Sequence, residues 1–246
     1  MLKNKYFILF FLLINSLCLS QSVHLTLGTP TDNDPSDDYI IIREQYALSY
    51  NFKLNACNWV SWEHNLKWLG ESGRTSHKFY PDPLLPTQYQ YIVRDDDYLN
   101  SGWDRGHIVP SRDRTSTIED NQATFYLTNV LPQHKDLNRH GAWSDLERYV
   151  EKLCLDGKQL FIIAGGIFRS NNKLNGKVAI PDSCFKIVVI LEKDQQINDI
   201  DECTEIIATI MPNNANTRGM RWYEWTTTVT QLERSTGYKF LDKIKK

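Results

Sequence analysis

Asp104-Arg105-Gly106-His107-Ile108-Val109-Pro110-Ser111-Arg112-Asp113-Arg114-Thr115 is the stretch on which the reading of this chain turns. A histidine follows an acid, a base and a glycine. Charged material of this kind makes a poor core, and the glycine allows a sharp backbone turn. Histidine is the one side chain whose unperturbed pKa lets it take a proton near neutrality, so His107 is a candidate general base. The chain has 6 histidines, any of which taken blind would more often be a core or capping group. It is the setting of His107 that singles it out.

Working outward, the chain continues with Thr128-Asn129-Val130-Leu131-Pro132-Gln133, Leu137-Asn138-Arg139, Trp143 and Leu146-Glu147, and is preceded by the loop Trp68-Leu69-Gly70-Glu71-Ser72-Gly73-Arg74. Hydrolysis of a phosphodiester needs a base for water, a countercharge for the transition state and help for the departing oxygen. Asn138 offers the hard oxygen that Mg²⁺ prefers, although an Asn ahead of a helix is commonly an N-cap. Glu147 reads equally as a solvated helix-face carboxylate. Arg74 is an arginine in an exposed loop. Asp104 and Arg105 read as ion-pairing groups that organise the loop, and Arg112 and Arg114 either touch the backbone of a bound strand or are solvated.

Together these ordered segments resemble the DNA/RNA non-specific endonucleases, ββα-metal (His-Me finger) nucleases that include the Serratia-type enzymes and endonuclease G. The resemblance extends to Asn58-Trp59-Val60-Ser61-Trp62, Gly157-Lys158-Gln159-Leu160, Ile163-Ala164-Gly165-Gly166, Phe185-Lys186-Ile187-Val188-Val189 and Thr236-Gly237-Tyr238. It implies an α+β fold with a central, mostly antiparallel sheet flanked by helices. It also implies cleavage of DNA and RNA to 5′-phosphate products with Mg²⁺, for which Mn²⁺ substitutes. By the same resemblance His107 is the general base and Asn138 the direct metal ligand. Asn129 lies close to the metal, Glu147 holds water beside it, and Arg74 neutralises phosphate charge. Some relatives carry an arginine one helical turn after the glutamate to help the leaving group. Here that position is Glu151, with Arg148 or Arg139 as substitutes. The alternative function is a nucleic-acid-binding protein of the same fold that has lost catalysis. A metalloprotease lacks an HExxH-like pair.

A second departure concerns spacing. Asn138 and Glu147 are nine residues apart, one more than the eight of the relatives. At ~100° per residue, eight positions leave the pair about 80° apart and nine leave it about 180° apart, on opposite faces of an unbroken helix. A shared site therefore predicts non-α geometry between Asn138 and Trp143, with Gly141 the cheapest place for it.

The bulk properties bound these readings. The chain has 246 residues, 41% hydrophobic and 12% aromatic, enough for one packed domain and not a disordered one. Lys3 and Lys5, the apolar run Tyr6 to Ile14 and the stretch to Ser20 read as a signal peptide over residues 1–20. This predicts a secreted or periplasmic protein. The run falls short of the ~20 apolar residues of a span, so no stable membrane association is expected, and Leu17 makes a lipoprotein reading through Cys18 poor. Removing 1–20 takes two lysines and moves the formal charge from -2 to -4, as 26 basic residues face 30 acidic ones. That weighs against a tight nucleic-acid binder more than against a turnover enzyme with a local cation. Cys57, Cys154, Cys184 and Cys203 allow three connectivities or remain isolated thiols.

Residues 21–39 read as a flexible leader and 40–246 as the nuclease domain. Tyr46–Asn51 pairs with Asn58–Trp62, and the apolar runs Leu160–Ala164, Phe185–Leu191 and Ile206–Met211 form a doubly covered sheet. A short helix is expected over Asp120–Tyr126, a buried strand near Leu127–Leu131, and a last helix from Thr228 to Gly237. DNA and RNA are the expected partners; a protein inhibitor is not legible.

Overall fold

Two interleaved apolar sets run along the central strands, and the fold buries both. The computed structural model describes residues 22–88 and 91–244; the expected signal peptide lies outside them. In chain order the strands are β1 (Tyr39–Ile42), β2 (Ala47–Asn51), β3 (Ala56–His64), β4 (Asp104–His107), β5 (Val130–Gln133), β6 (Gln159–Ile167), β7 (Lys173–Leu174), β8 (Val178–Ala179), β9 (Ser183–Leu191), β10 (Ile206–Pro212) and β11 (Thr226–Thr227). The α-helices are α1 (Ile118–Ala123), α2 (Lys135–Asn138), α3 (Ala142–Leu155) and α4 (Val229–Thr236).

Seven strands make one sheet in the order β1-β2-β3-β6-β9-β10-β11, every neighbouring pair antiparallel. Alternate residues face opposite ways. One face carries Val60, Trp62, Ile162, Val188 and Met211 and packs under Trp143, Leu146 and Val150 of α3. The other carries Trp59, Phe161, Ile187 and Val189 and is closed by Leu25, Leu27, Leu232 and Phe240 from the two ends of the described chain. Helix α4 begins where Thr228 accepts a hydrogen bond from the Gln231 N–H and ends at Gly237, whose φ of 84° glycine adopts freely.

Three expectations change. Residues 23–38 are not a loose leader. Leu25 and Leu27 are buried, Thr31 bridges Lys239, and Asp38 accepts from Tyr238, Ser49 and Asn58. The stretch expected as a strand from Leu127 is a 3-10 turn to Asn129, and pairing starts at Val130. The cause is Asn129, whose side-chain amide turns inward to the backbone of Val109 and Thr124. The short helix starts earlier, at Ile118, because Thr117 caps it through the Asp120 N–H. No disulfide joins the four mature cysteines. Cys57, Cys154 and Cys184 are buried thiols and Cys203 is an exposed one. No helix among the described residues is long and apolar enough to cross a membrane.

Candidate active site

A two-stranded ribbon stands apart from the large sheet and carries the DRGH motif. In it β4 pairs antiparallel with β5, Asp104 opposite Gln133 and His107 opposite Val130. The glycine is needed here for close approach and not for a turn, since a Cβ on Gly106 would lie 2.0 Å from the Gln133 side-chain oxygen. Beyond the ribbon, Asn129 locks the strand end. Its Oδ1 accepts from the Val109 N–H and its Nδ2 donates to the carbonyls of Val109 and Thr124. Asn129 is fully buried. Its amide is spent on backbone, so it sets the position of β4 from behind.

In front of the ribbon lies a cleft of about 450 Å³. His107, Arg74, Asp104, Arg105, Arg112, Asn138 and Glu147 all line it. His107 sits between Phe79 and Phe125, at ring-centroid distances of 4.8 and 5.0 Å. Its buried Nε2 has no hydrogen-bond partner. Burial first, and the Arg74 guanidinium second, bring its pKa down to about 3, so the imidazole is neutral at pH 7. Arg74 stacks over Phe125 at 4.7 Å and reaches Ser111 Oγ at 3.4 Å.

Asp104 and Arg105 do not pair with one another. Asp104 accepts from Asn138 Nδ2 at 3.0 Å and from Arg139 Nε at 2.6 Å. Arg105 pairs with Asp95 at 2.6 Å and lies over Tyr98 and Phe79. The carboxylate of Asp104 thus fixes the Asn138 amide, with its Nδ2 committed and its oxygen available to another group. Arg112 pairs with Glu151 at 3.1 Å, both side chains partly exposed. Of the two substitutes for the missing arginine, Arg139 lines the cleft and Arg148 instead pairs with Asp145 on the helix surface.

One residue does not belong. Arg114, expected at a bound strand, is fully buried away from the cleft. It donates to the carbonyls of Gln45, Asp113 and Glu63 and stacks 4.2 Å from the Trp68 ring. Strand alternation would put Arg112 and Arg114 on one side, two residues apart, and a 3-10 turn with three residues per revolution separates them. The 3-10 turn Ser111–Asp113 reverses the chain, so that Arg112 emerges and Arg114 points inward.

The helix bearing Asn138 and Glu147 is broken as the spacing demands. Helix α2 ends at Asn138, residues 139–140 form a turn, and α3 starts at Ala142. Gly141 makes a β-bridge to Arg218, and the Gly219 N–H donates to the His140 carbonyl. A Cβ at Gly141 would fall 2.2 Å from the Asp136 carbonyl oxygen and 2.3 Å from that of Thr217. The helix is interrupted there, and Asn138 and Glu147 both line the cleft. Burial raises the Glu147 pKa, against the opposing charges of Lys186 and Arg112. Sequence reasoning missed Lys186, a lysine 1% exposed on β9 beneath this helix, because its apolar strand context hid it. It also missed Trp103, which directly precedes the motif, Phe79, which long-range folding brings to the cleft, and Asp95, which pairs with Arg105.

Comparison with known proteins agrees with this geometry. Residues 24–246 match the family described as DNA/RNA non-specific endonuclease. A "Nuclease" from Nostoc sp. is 41% identical over 236 residues, covering 94% of this chain and 85% of its own. The mitochondrial nuclease EXOG of Danio rerio is 30% identical, over 92% of this chain and 67% of its own. The crystal structure of an EndoG/EndoGI complex superposes with a TM-score of 0.75 at 22% identity, over 90% of this chain and 91% of that one. Its fold is the α+β, ββα-metal arrangement.

Proposed function

The chain belongs to the DNA/RNA non-specific endonuclease family, and from that premise we propose that it is a secreted, Mg²⁺-dependent hydrolase cutting phosphodiester bonds of DNA and RNA to 5′-phosphate ends. The observation that carries the proposal is the break at residues 139–141, which puts Asn138 and Glu147 in one cleft with His107. An unbroken helix would have favoured an inactive binder.

In this reading the His107 imidazole, neutral at pH 7 and lining the cleft, removes the proton from the attacking water. Arg74 meets the charge that grows on the phosphoryl oxygens, a task for a planar guanidinium. Glu147 orients water, and Arg139 or Arg112 lies within the same cleft to support the leaving oxygen. The residues fit a hard divalent cation. The Asn138 carboxamide oxygen, fixed by Asp104, and the Glu147 carboxylate are oxygen donors of the kind Mg²⁺ and Mn²⁺ take. When bound, the cation supplies positive charge at the scissile phosphate. Asp104, Arg105 and Asn129 hold these groups in place without touching substrate.

The test is degradation of plasmid DNA and of RNA by the purified chain with Mg²⁺, with Mn²⁺ and with excess EDTA, followed by end-group analysis. Cleavage restored by either cation and abolished by chelator is expected. Full activity in EDTA would overturn the metal assignment, and no activity with either cation would overturn the enzyme.

A further inference from the structure

Trp103 lines the catalytic cleft and also a second hollow of about 340 Å³. We infer that this hollow is a nucleobase subsite, in which Trp103 stacks on the base of an unpaired nucleotide neighbouring the scissile phosphate. The inference rests on the nuclease reading of the cleft and adds to it a substrate class, single-stranded DNA or RNA.

Four features support it. The Trp103 backbone is fixed on both sides. Its N–H donates to Ser101 Oγ at 3.1 Å in a tight turn with Asn100 and Gly102 at φ 55° and 80°, and β4 begins at the next residue. The indole is only partly buried and meets the His134 ring edge-on at 6.0 Å, so it is a held plane with an open side. The second hollow is polar. Asn172 and Asn214 are exposed beside it. A carboxamide presents a donor or an acceptor according to its flip, so such walls accept any base edge. The remaining charges suit a polyanion, because Lys173 is exposed at the rim. The one carboxylate, Asp182, is engaged by the Arg169 and Ser170 N–H groups at 2.7 and 2.9 Å.

Stacking on an aromatic plane is indifferent to base identity, which is what cleavage without sequence preference requires. A base in a duplex has first to leave its stack. Trp103 therefore favours unpaired strands.

The experiment uses the mature chain in EDTA and a 12-mer single strand carrying one 2-aminopurine, whose fluorescence is quenched by stacking. Wild-type protein is expected to quench it. Trp103→Ala is expected to bind roughly 10-fold more weakly, without quenching, whereas Trp103→Phe keeps most of both. Lys173→Ala is expected to weaken binding less and to reduce the salt slope by about 0.7. A strand abasic at every position should bind wild type and Trp103→Ala equally. Unchanged binding and quenching in Trp103→Ala, or failure of Trp103→Phe as complete as that of Trp103→Ala, would overturn the subsite. Binding with quenching but no cleavage with Mg²⁺ would instead sink the hydrolase reading alone, and cleavage without quenching the subsite alone.

Discussion

The two faces of the large sheet are built from the same strands but carry different chemistry. The face closed by the chain ends holds Trp59, Phe161, Ile187, Val189 and Leu232 in a largely apolar layer. The face beneath the cleft holds apolar residues of similar size and, among them, Lys186 and His64, with Asp113 and Arg114 packed above. His64 lies 3.7 Å from Asp113, and Lys186 lies 4.1 Å from the Trp143 ring. Burying charge is costly unless it is paired. On the other side the buried Glu63 and Glu233 pair with Lys67 and Lys239, whereas Lys186 under the site lies over an indole, so the face beneath the cleft positions the site at some expense to stability.

The largest expected effect belongs to the cleft side. His107→Ala should lower kcat per folded molecule by about 10²–10⁴, with a smaller loss of stability from the ring's contacts with Phe79 and Phe125. Assayed on plasmid DNA with Mg²⁺, wild-type turnover in this variant would break the comparison. Arg74→Lys should show a milder loss, because lysine keeps the charge and gives up the fork.

On the opposite face the signs reverse. Leu232 on α4 is fully buried, and Leu232→Ala should cost about 2–5 kcal/mol in urea unfolding while leaving kcat per folded molecule unchanged. A large fall in kcat at full folding would mean that the faces are not separable.

These two faces also differ in how readable they were. The apolar runs Leu160–Ala164 and Phe185–Leu191 specify a doubly covered sheet by composition alone, and β6 and β9 occupy and slightly extend those spans. The cleft was legible as a set of residues, since the DRGH stretch, Asn138 and Glu147 are local in sequence. The helix break was legible from their spacing together with Gly141. Partners from further along the chain were not. Asp95 beside Arg105, Phe79 against His107 and Lys186 near Glu147 have no periodic signature, and Trp103, although next to Asp104, carries no signal of the second hollow that it lines. Arg114 misled because its exposure depends on a 3-10 turn, and the ordered residues 23–38 misled because their polar composition masks Leu25 and Leu27.

Acid should act on both sides of the sheet, since burial also lowers the pKa of His64 and His107 on the cleft side, and His24 carries the share of the apolar side's edge. His24 accepts the Glu63 N–H at Nδ1, so its proton resides on Nε2, which donates to the Glu44 carbonyl at 2.7 Å. Burial brings its pKa down from 6.5 to about 4. The unfolded chain therefore binds more protons than the folded one between these values, and stability falls as pH drops from about 6.5 to 4, by up to ~3 kcal/mol from this group. His24→Gln, which does not titrate, should flatten that part of the curve in pH-dependent urea unfolding. An identical slope in the variant would remove His24 as its source.

The smallest and most discriminating effect is expected at Lys186. Its ammonium is buried over Trp143 and faces Glu147, Asp113, Cys184 and Arg112. Lys186→Met keeps the volume, loses a cation–π contact worth about 2 kcal/mol when desolvated, and relieves a buried charge of comparable cost. Stability should therefore change by no more than ~1 kcal/mol. Activity should respond otherwise. Burial already raises the Glu147 pKa, and Lys186 is the first of the charges opposing that rise. Without it the carboxyl ionises only at higher pH, so the acid limb of kcat/KM should move upward, with activity lost at the acid end of the profile and kept at the alkaline end. Lys186→Arg, which keeps a cation over the indole, should restore the limb if its larger head is accommodated. Were Lys186→Met instead to cost as much stability as Leu232→Ala and leave the pH profile unmoved, the lysine would be a packing element and the two faces would differ only in composition.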